Sequence, residues 1–398
     1  MAPNDSTDST QTTRRKASRY VVPVAVAGVA AATIGLVPAL AASGDPELPK
    51  ITAQQLIEKI AASDTQTLSG TVKISTDLGL PSLAGLAGGL GGDSSTSSAD
   101  PQDKLTELVS GTHTLRVAAD GPEKQKLTIL DGSDEYSLIH NGDDVWGYDS
   151  KSNEAFHEKA DEADGPKGEK REKPEKLPST PKEMADEILK AAGDTTSITV
   201  GGTARVAGRD AYQLVIEPKQ SGSTVESVKV AVDAENGVPL KFTLSSTAGG
   251  KPVVDAGFTK VDFGRPAAST FDFTAPKGAK VTEGAAEEKA PEDFEKAPEN
   301  FEKEFGQGLE GFGGLNVIGE GWTTIAKLDT GAPAPKTDEA PAEVKGFLDS
   351  LGDKVSGKFG SGTVFKTKLV NALLTDDGKV YVGAVTQDAL VDAANAGK

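Results

Sequence analysis

The chain contains no cysteine in 398 residues, and only 5% of its residues are aromatic. Without cysteine it has no disulfide, no thiolate nucleophile, no cysteine-ligated metal and no lipid-modified cysteine. Histidine is scarce as well, and His113, His140 and His157 lack the spacing of a metal-binding motif. Each is expected to be a polar-face or turn residue, and we predict no metal and no cofactor.

Catalytic signatures are also missing. The sequence has no Gly-x-Ser-x-Gly elbow, no phosphate-binding loop and no His-Glu-x-x-His motif. Acidic residues at 131–135 and at 143–144 do not follow the spacing of a calcium loop, so solvated turns are expected there. A serine-hydrolase triad is spatial and stays open on sequence grounds, but the prediction is a binding protein and not an enzyme.

Long apolar runs are confined to the amino terminus. The basic cluster Arg14-Arg15-Lys16 and Arg19 precede an uncharged stretch at 20–44. Positive charge before such a run is read by the export machinery, so the rest of the chain is expected outside the cytoplasm. The triplet Ala39-Leu40-Ala41 fits a signal-peptidase site, yet the run also exceeds the about 20 residues that span a bilayer core. Residues 1–44 are therefore predicted to be a signal peptide or a single membrane anchor.

Positive charge is in deficit, with 42 basic against 60 acidic residues and a formal net charge of -18. The first 20 residues carry four basic and two acidic side chains, so the remainder carries about -20. Such a charge repels polyanions, and nucleic acid is not an expected partner. The 45 glycines are typical of an antiparallel β protein with many turns.

Three polar or charged segments are predicted to be linkers or long loops, at 91–103, 158–181 and 277–310. The third contains a duplicated heptad, APEDFEK followed by APENFEK, at 290–303. We interpret it as an acidic disordered linker, with docking through its phenylalanines as the alternative. It divides the exported chain into a first domain at 45–276 and a second at 311–398.

Residue periodicity defines the first domain. A helix capped by Thr52 places apolar residues on one face, and a second helix at 180–192 directs Met184, Ile188 and Leu189 toward a sheet. Between and after them, apolar and polar residues alternate in strand after strand, and Asn141-Gly142 and Asn236-Gly237 are hairpin signals. The alternating apolar positions are Leu115/Val117, Leu127/Ile129, Tyr136/Leu138, Tyr212/Leu214/Ile216, Val228/Val230/Val232 and Leu240/Phe242/Leu244.

Three of these segments carry a resemblance: VWGYD at 145–149, VAGRDAYQL at 206–214 and VAVDAENGVPL at 230–240. In order and spacing they resemble successive strands of the LolA/RseB-like family, over about residues 50 to 276. The resemblance implies an α+β fold, with a curved antiparallel β-sheet (half-barrel) closed by helices. It also implies binding of acyl chains or sensing of envelope stress. The chain departs from lipoprotein members in lacking cysteine and in a glycine-rich insertion at 78–92, interpreted either as a mobile lid or as a loop.

A sheet too curved to be filled by its own side chains leaves an apolar hollow for a lipid tail. The alternative is that the same residues pack against the two helices, as periodic apolar residues usually do. The candidate ligand-binding residues are Leu115, Val117, Leu127, Ile129, Tyr136, Leu138, Trp146 and Tyr212.

The second domain is expected to be a small α+β unit. We predict strands at 321–325, 364–374 and 380–385, a turn at Asp377-Gly378, and helices at 343–351 and 387–394. A trailing small domain resembles the arrangement of RseB-like regulators, which contact a membrane-bound anti-sigma factor.

The resulting hypothesis is an exported envelope protein that binds a lipid or acylated molecule as carrier or sensor. The alternative is a regulator that binds a membrane protein through the second domain. A third reading is a structural module with a filled core. If the hollow binds lipid, Trp146→Ala or Leu127→Asp should weaken that binding.

Overall fold

The structure, a computed structural model, describes residues 45–79, 99, 101, 104, 108, 110–159, 181–283, 316–329 and 352–397. The predicted signal or anchor at 1–44 and the predicted helix at 343–351 lie outside the described residues. So do most of the glycine-rich insertion and residues 284–310 of the predicted linker. Among the described residues, no helix combines the length and apolar character needed to cross a bilayer.

A twelve-stranded sheet dominates the structure, in the order β12-β6-β5-β4-β3-β2-β1-β11-β10-β9-β8-β7. It is curved and open, and its strands are antiparallel except for the pair β12 and β6. The predicted half-barrel fold is thereby confirmed. The strands are β1 Thr67–Thr76, β2 Gly111–Asp120, β3 Lys124–Asp131, β4 Asp134–Asn141, β5 Asp144–Asp149, β6 Glu154–Lys159, β7 Thr196–Val206, β8 Arg209–Pro218, β9 Val225–Asp233, β10 Pro239–Ser246, β11 Val254–Asp262 and β12 Lys280–Glu283.

Two helices cover one end of this sheet. Helix α1, Ala53–Ala61, begins at a capping box in which Thr52 and Gln55 satisfy each other's backbone amides. Helix α2, Pro181–Ala192, packs against α1, and both contact β7. Their apolar residues join the β8 and β9 side chains in one core cluster. The helices therefore close only the part of the sheet formed by β7, β8 and β9.

The second helix deviates from its predicted orientation at one position. Leu189 packs into the cluster under the helices, as expected, but Ile188 is 42% exposed. Since Ile188 lies 100° from its neighbour around the helix, only one of the two adjacent residues faces the sheet. The side chain of Met184 lies outside the described part.

Strand β12 extends the large sheet beyond the predicted domain boundary at 276. Lys280–Glu283 pairs in parallel with β6, and Lys280 also forms an ion pair with Glu154 at 2.8 Å. Residues 263–279, which we call the strap, lead from β11 to β12. Because six strands lie between β11 and β12 in the sheet order, the strap crosses from the middle of the sheet to one edge.

The second domain is a six-stranded antiparallel sheet of order β13-β14-β18-β17-β16-β15, with one helix packed on it. Two predicted strands are wrong in detail. Gly321–Thr323 is a 3₁₀ turn that precedes β14, and 364–374 contains two strands joined by a turn stabilised by Thr367 and Asn371. The elements are β13 Asn316–Ile318, β14 Ile325–Asp329, β15 Gly352–Gly357, β16 Gly360–Phe365, β17 Asn371–Thr375, β18 Lys379–Gly383 and α3 Gln387–Ala396.

The two sheets meet at what we call the domain junction. The amide of Thr224 donates to the carbonyl of Ala384 at 2.9 Å, and that of Thr386 donates to Gly222 at 2.8 Å. These bonds pair the β8–β9 turn with the segment between β18 and α3. Main-chain pairing of this kind holds a defined relative position, because each bond leaves a desolvated amide if it is broken.

Side chains add to the domain junction on either side of that pairing. The indole nitrogen of Trp322 donates to the hydroxyl of Thr196 at 2.8 Å, and Lys368 forms an ion pair with Asp77 at 2.5 Å. The hydrogen bond from Lys368 lowers the pKa of Asp77 below its ordinary 3.8. The second domain is thus attached to the turns at one end of the half-barrel.

Candidate ligand-binding site

Strand register decides which predicted site residues share a face. Directly paired residues of antiparallel strands project to the same side. The pairs Leu115↔Ile129 and Val117↔Leu127 link β2 with β3, and Ile129↔Tyr136 and Leu127↔Leu138 link β3 with β4. These six residues therefore lie together on one face, as predicted, and we call it the helix-side face because α1 and α2 cover its other end.

Half of these six residues are fully packed. Leu115 is 1% exposed, Ile129 9% and Tyr136 5%, and they form a cluster with Ile74 and Leu108. The Tyr136 hydroxyl donates to the carbonyl of Ala99 at 3.1 Å. Ala99 and Leu108 thus cover this row, so the core-packing alternative holds for these three residues.

The other three form a less covered row. Val117, Leu127 and Leu138 are only half-buried, and they lie side by side on β2, β3 and β4. In register with them stand Gly70 on β1 and Gly147 on β5. A side chain added at either glycine would lie within 3 Å of neighbouring atoms. We call these three side chains the apolar row. Leu127 and Leu138 contact the Leu115 cluster and Val117 contacts a cluster around Phe258, so the row is the less buried part of the predicted lining.

Tyr212 belongs to the same sheet but to a different environment. It pairs with Val232 and packs under α1 with Leu56 and Ile57. Its hydroxyl donates to the carbonyl of Pro49 at 2.9 Å. The structure therefore separates Tyr212 from the apolar row by the four intervening strands β1, β11, β10 and β9.

The predicted position of Trp146 in the apolar lining is wrong. It pairs with Ile139 of β4, whereas Leu138 pairs with Gly147, so Trp146 projects to the side opposite the apolar row. Its ring stacks on His157 with centroids 4.0 Å apart and contacts Phe273 of the strap at 5.3 Å. Trp146 is a packing residue of the opposite face, which we call the strap-side face.

The three histidines do not converge. His157 is 9% exposed, and its two ring nitrogens lie 2.8 Å from Glu283 and 2.9 Å from Asp144. His113 contacts the carbonyl of Ser110 at 2.7 Å, and His140 lies on β4. His157 therefore fastens the edge strand β12, through Glu283, to the neighbouring strands.

An ion pair joins two of the three segments that carry the family resemblance, 206–214 and 230–240. Arg209 forms a two-bond ion pair with the fully buried Asp233, at 2.7 and 3.1 Å, and reaches Glu235 at 2.8 Å. Burial opposes ionisation of Asp233, but hydrogen bonds from Arg209 and from the amides of Glu235 and Asn236 outweigh it and lower its pKa. This pair, one residue from each of two segments, fixes β8 against the β9–β10 turn.

Sequence reasoning missed several residues around the apolar row. Ile74 and Leu108 are buried beside it, and Phe258 lies over Gly70. The alternation of Leu68, Gly70, Val72 and Ile74 in β1 was available as a strand signal. No comparable signal pointed to Leu108, whose position depends on contacts from a different part of the chain.

The comparisons with known proteins agree with this architecture. Residues 106–275 match the family model "MucB/RseB N-terminal domain". The match covers 170 of the 398 residues and confirms the resemblance of this region to the LolA/RseB-like family. No curated protein matches it.

Among solved structures, the Pseudomonas aeruginosa MucA/MucB complex shares 15% identity and covers 86% of this chain and 96% of that chain, at a TM-score of 0.38. A LolA superfamily protein from Nitrosomonas europaea shares 12% identity and covers 56% and 99%, at a TM-score of 0.21. A putative outer membrane lipoprotein-sorting protein domain from Vibrio parahaemolyticus shares 10% and covers 52% and 91%, at a TM-score of 0.20.

Proposed function

We propose that this protein is an extracytoplasmic binder of a lipid or acylated molecule, acting as carrier or sensor without chemistry. The single observation that carries the proposal is the apolar row of Val117, Leu127 and Leu138. These side chains are half-buried on the face that α1 and α2 cover only over β7, β8 and β9. An apolar face that the fold leaves partly open is a surface on which a hydrocarbon chain gains by burial.

The energy of such binding is sufficient without any charged contact. Burial contributes about 0.8 kcal/mol per methylene, so about ten methylenes supply roughly 8 kcal/mol before ordering costs are subtracted. The flanking clusters, with Leu115 on one side and Tyr212 on the other, are packed and give the row a rigid frame. A rigid frame lowers the ordering cost on the protein side.

The test is lipid retention by residues 45–398, measured by native mass spectrometry and organic extraction, with uptake of a fluorescent fatty acid as a second readout. Leu127→Asp and Leu138→Asp place a carboxylate in the apolar row and should lower uptake at least about tenfold. Trp146→Ala, on the other face of the same sheet, is the matched control and should retain uptake.

Circular dichroism establishes that each variant is folded. Equal uptake by the aspartate variants and the control would contradict the proposal. A parent protein that purifies without lipid and takes up none would contradict it as well.

A regulator that binds a membrane anti-sigma factor is the second candidate. The family model is named for MucB and RseB, and the described second domain is held to the half-barrel by main-chain hydrogen bonds. A partner-binding module that must keep a fixed position relative to the lipid site would be attached in this way. Capture of the extracytoplasmic segment of an anti-sigma factor should then require residues 311–398, while lipid retention should not. Capture by a folded variant that lacks these residues would refute this role.

A further inference from the structure

The strap-side face carries a groove whose polar residues the acyl-binding proposal does not use, although Val117 of the apolar row also borders it. The strap is held down at its far end, where Phe273 contacts Trp146 and Tyr148, and near its start, where Arg265 forms an ion pair with Asp120 at 3.1 Å. Between these fixed points it passes over β1, β2 and β3. The space there is partly open to solvent and measures about 470 Å³.

Cationic side chains from three strands line this groove. Thr71 of β1 pairs with Arg116 of β2 on one side and with Lys260 of β11 on the other. Lys126 stands on β3, paired with Ala118. Hydroxyl groups surround them, contributed by Ser69, Thr71 and Thr128 from the sheet and by Ser269 and Thr270 from the strap.

These cations have no carboxylate partner among the residues that the structure describes. The other three arginines of the described part, Arg205, Arg209 and Arg265, each form an ion pair at 3.1 Å or less. Arg116 does not. In a chain with a formal net charge of -18, an unpaired arginine beside two unpaired lysines is a local reversal of sign.

The carboxylates at the groove leave this positive charge in place. Two of them, Glu135 and Asp262, are among the lining residues, so the formal charge of the groove is positive by one. Asp262 accepts a hydrogen bond from the amide of Gly264 at 2.6 Å and is engaged in that turn. Arg116 and Lys260 therefore have donors available for a bound anion.

We propose that the groove binds a phosphate group, as part of a small phosphorylated molecule or of a phospholipid headgroup. A guanidinium, ammonium groups and hydroxyls approaching from four strands and the strap suit the several oxygens of a tetrahedral oxyanion. A volume of 470 Å³ exceeds that of a single phosphate and leaves room for a glycerol- or sugar-sized substituent.

Titration calorimetry of residues 45–398 with glycerol 3-phosphate tests the site, with glycerol as the uncharged comparison. Arg116→Gln and Lys260→Gln should each raise Kd about tenfold, since each removes a charge-assisted donor. Lys73→Gln is the matched control, because Lys73 lies on β1 outside the lining residues and its loss changes the net charge equally. The control should change Kd less than about twofold.

Vesicle sedimentation separates the two sources of phosphate. If the ligand is a phospholipid headgroup, the parent should bind phosphatidylglycerol vesicles and the Arg116→Gln variant should not. If the ligand is a free molecule, neither protein should bind these vesicles. Phosphatidylcholine vesicles report a zwitterionic headgroup. Absence of glycerol phosphate binding, or equal weakening by Lys73→Gln and Arg116→Gln, would overturn the proposal. Leu127→Asp should leave phosphate binding unchanged, so this site and the acyl site fail independently.

Discussion

The two faces of the twelve-stranded sheet are built from the same strands but are stabilised in different ways. On the helix-side face, apolar residues meet α1, α2 and the chain around Leu108, and burial of hydrocarbon is the dominant contribution. On the strap-side face, the strap covers the sheet among the described residues, and charge and aromatic contacts fasten it. The difference teaches that one face is closed by a continuous apolar core, while the other is closed by a connection that a few aromatic and charged contacts hold in place.

The largest expected effect comes from removing a buried charge on the strap-side face, that of Asp233. Asp233→Ala leaves Arg209 without its two-bond partner and should destabilise the protein by about 3–5 kcal/mol in urea unfolding. Asp210→Ala is the matched control, because Asp210 pairs with Arg205 at 2.9 Å but both are about 40% exposed. That exposed pair should contribute less than about 1 kcal/mol. Similar losses for the two variants would show that burial is not what gives the first pair its importance.

The helix-side face is tested by comparing two leucines of adjacent strands. Leu115→Ala opens a cavity at a residue that is 1% exposed and should cost about 2–5 kcal/mol. Leu127→Ala, at a half-buried position on the same face, should cost roughly half as much, because less area is removed from contact. Unfolding free energies measured on both variants decide the matter. Equal costs would mean that the apolar row is packed as tightly as its neighbours, and the ligand surface would lose its basis.

Much of this contrast was predictable from the sequence. Alternation located the strands that carry Leu115, Leu127, Tyr136 and Tyr212, and their shared face follows from the period of two. The motifs that carried the family resemblance led to the half-barrel fold. The helix begun by Thr52 was predicted with its cap because capping is a local interaction between neighbours in sequence.

The face of Trp146 could also have been predicted from the sequence. A two-residue turn at 142–143 pairs Asn141 with Asp144, and counting outward pairs Trp146 with Ile139. The hairpin signal at Asn141-Gly142 therefore determines the register of β4 and β5, and this register places Trp146 on the face opposite Leu138. Strand β12 and the coverage by Leu108 are different. They depend on pairing between residues far apart in sequence, for which periodicity gives no signal.

The attachment of β12 gives a smaller effect on the strap-side face. His157→Ala removes the stacking on Trp146 and the contacts to Asp144 and Glu283, and should cost about 1–2 kcal/mol. Hydrogen exchange of the amides at 280–283 should accelerate, because β12 pairs with β6 alone. His140→Ala, a histidine of the neighbouring strand β4, should leave that exchange unchanged. Unaltered exchange in the His157 variant would show that main-chain pairing alone holds β12.

The smallest predicted effect lies at the domain junction and depends on pH. Lys368 lowers the pKa of Asp77 below 3.8, so the ion pair contributes fully above that value and is lost as the pH falls through the lower folded-state pKa. Because the Asp77 side chain is 42% exposed, the contribution should stay below about 1 kcal/mol. Acid should therefore loosen the junction slightly, below about pH 4, and Asp77→Asn should loosen it to the same extent already at neutral pH.

Trp322 provides the readout for this prediction. The chain has two tryptophans, so Trp146→Phe leaves Trp322, at the junction, as the sole emitter. Its emission should shift to the red as the pH falls, and Asp77→Asn should remove that part of the shift. Asp353→Asn, which breaks an exposed ion pair within the second domain, should leave the shift intact. An identical acid response in the Asp77→Asn protein would mean that main-chain pairing alone sets the strength of the junction.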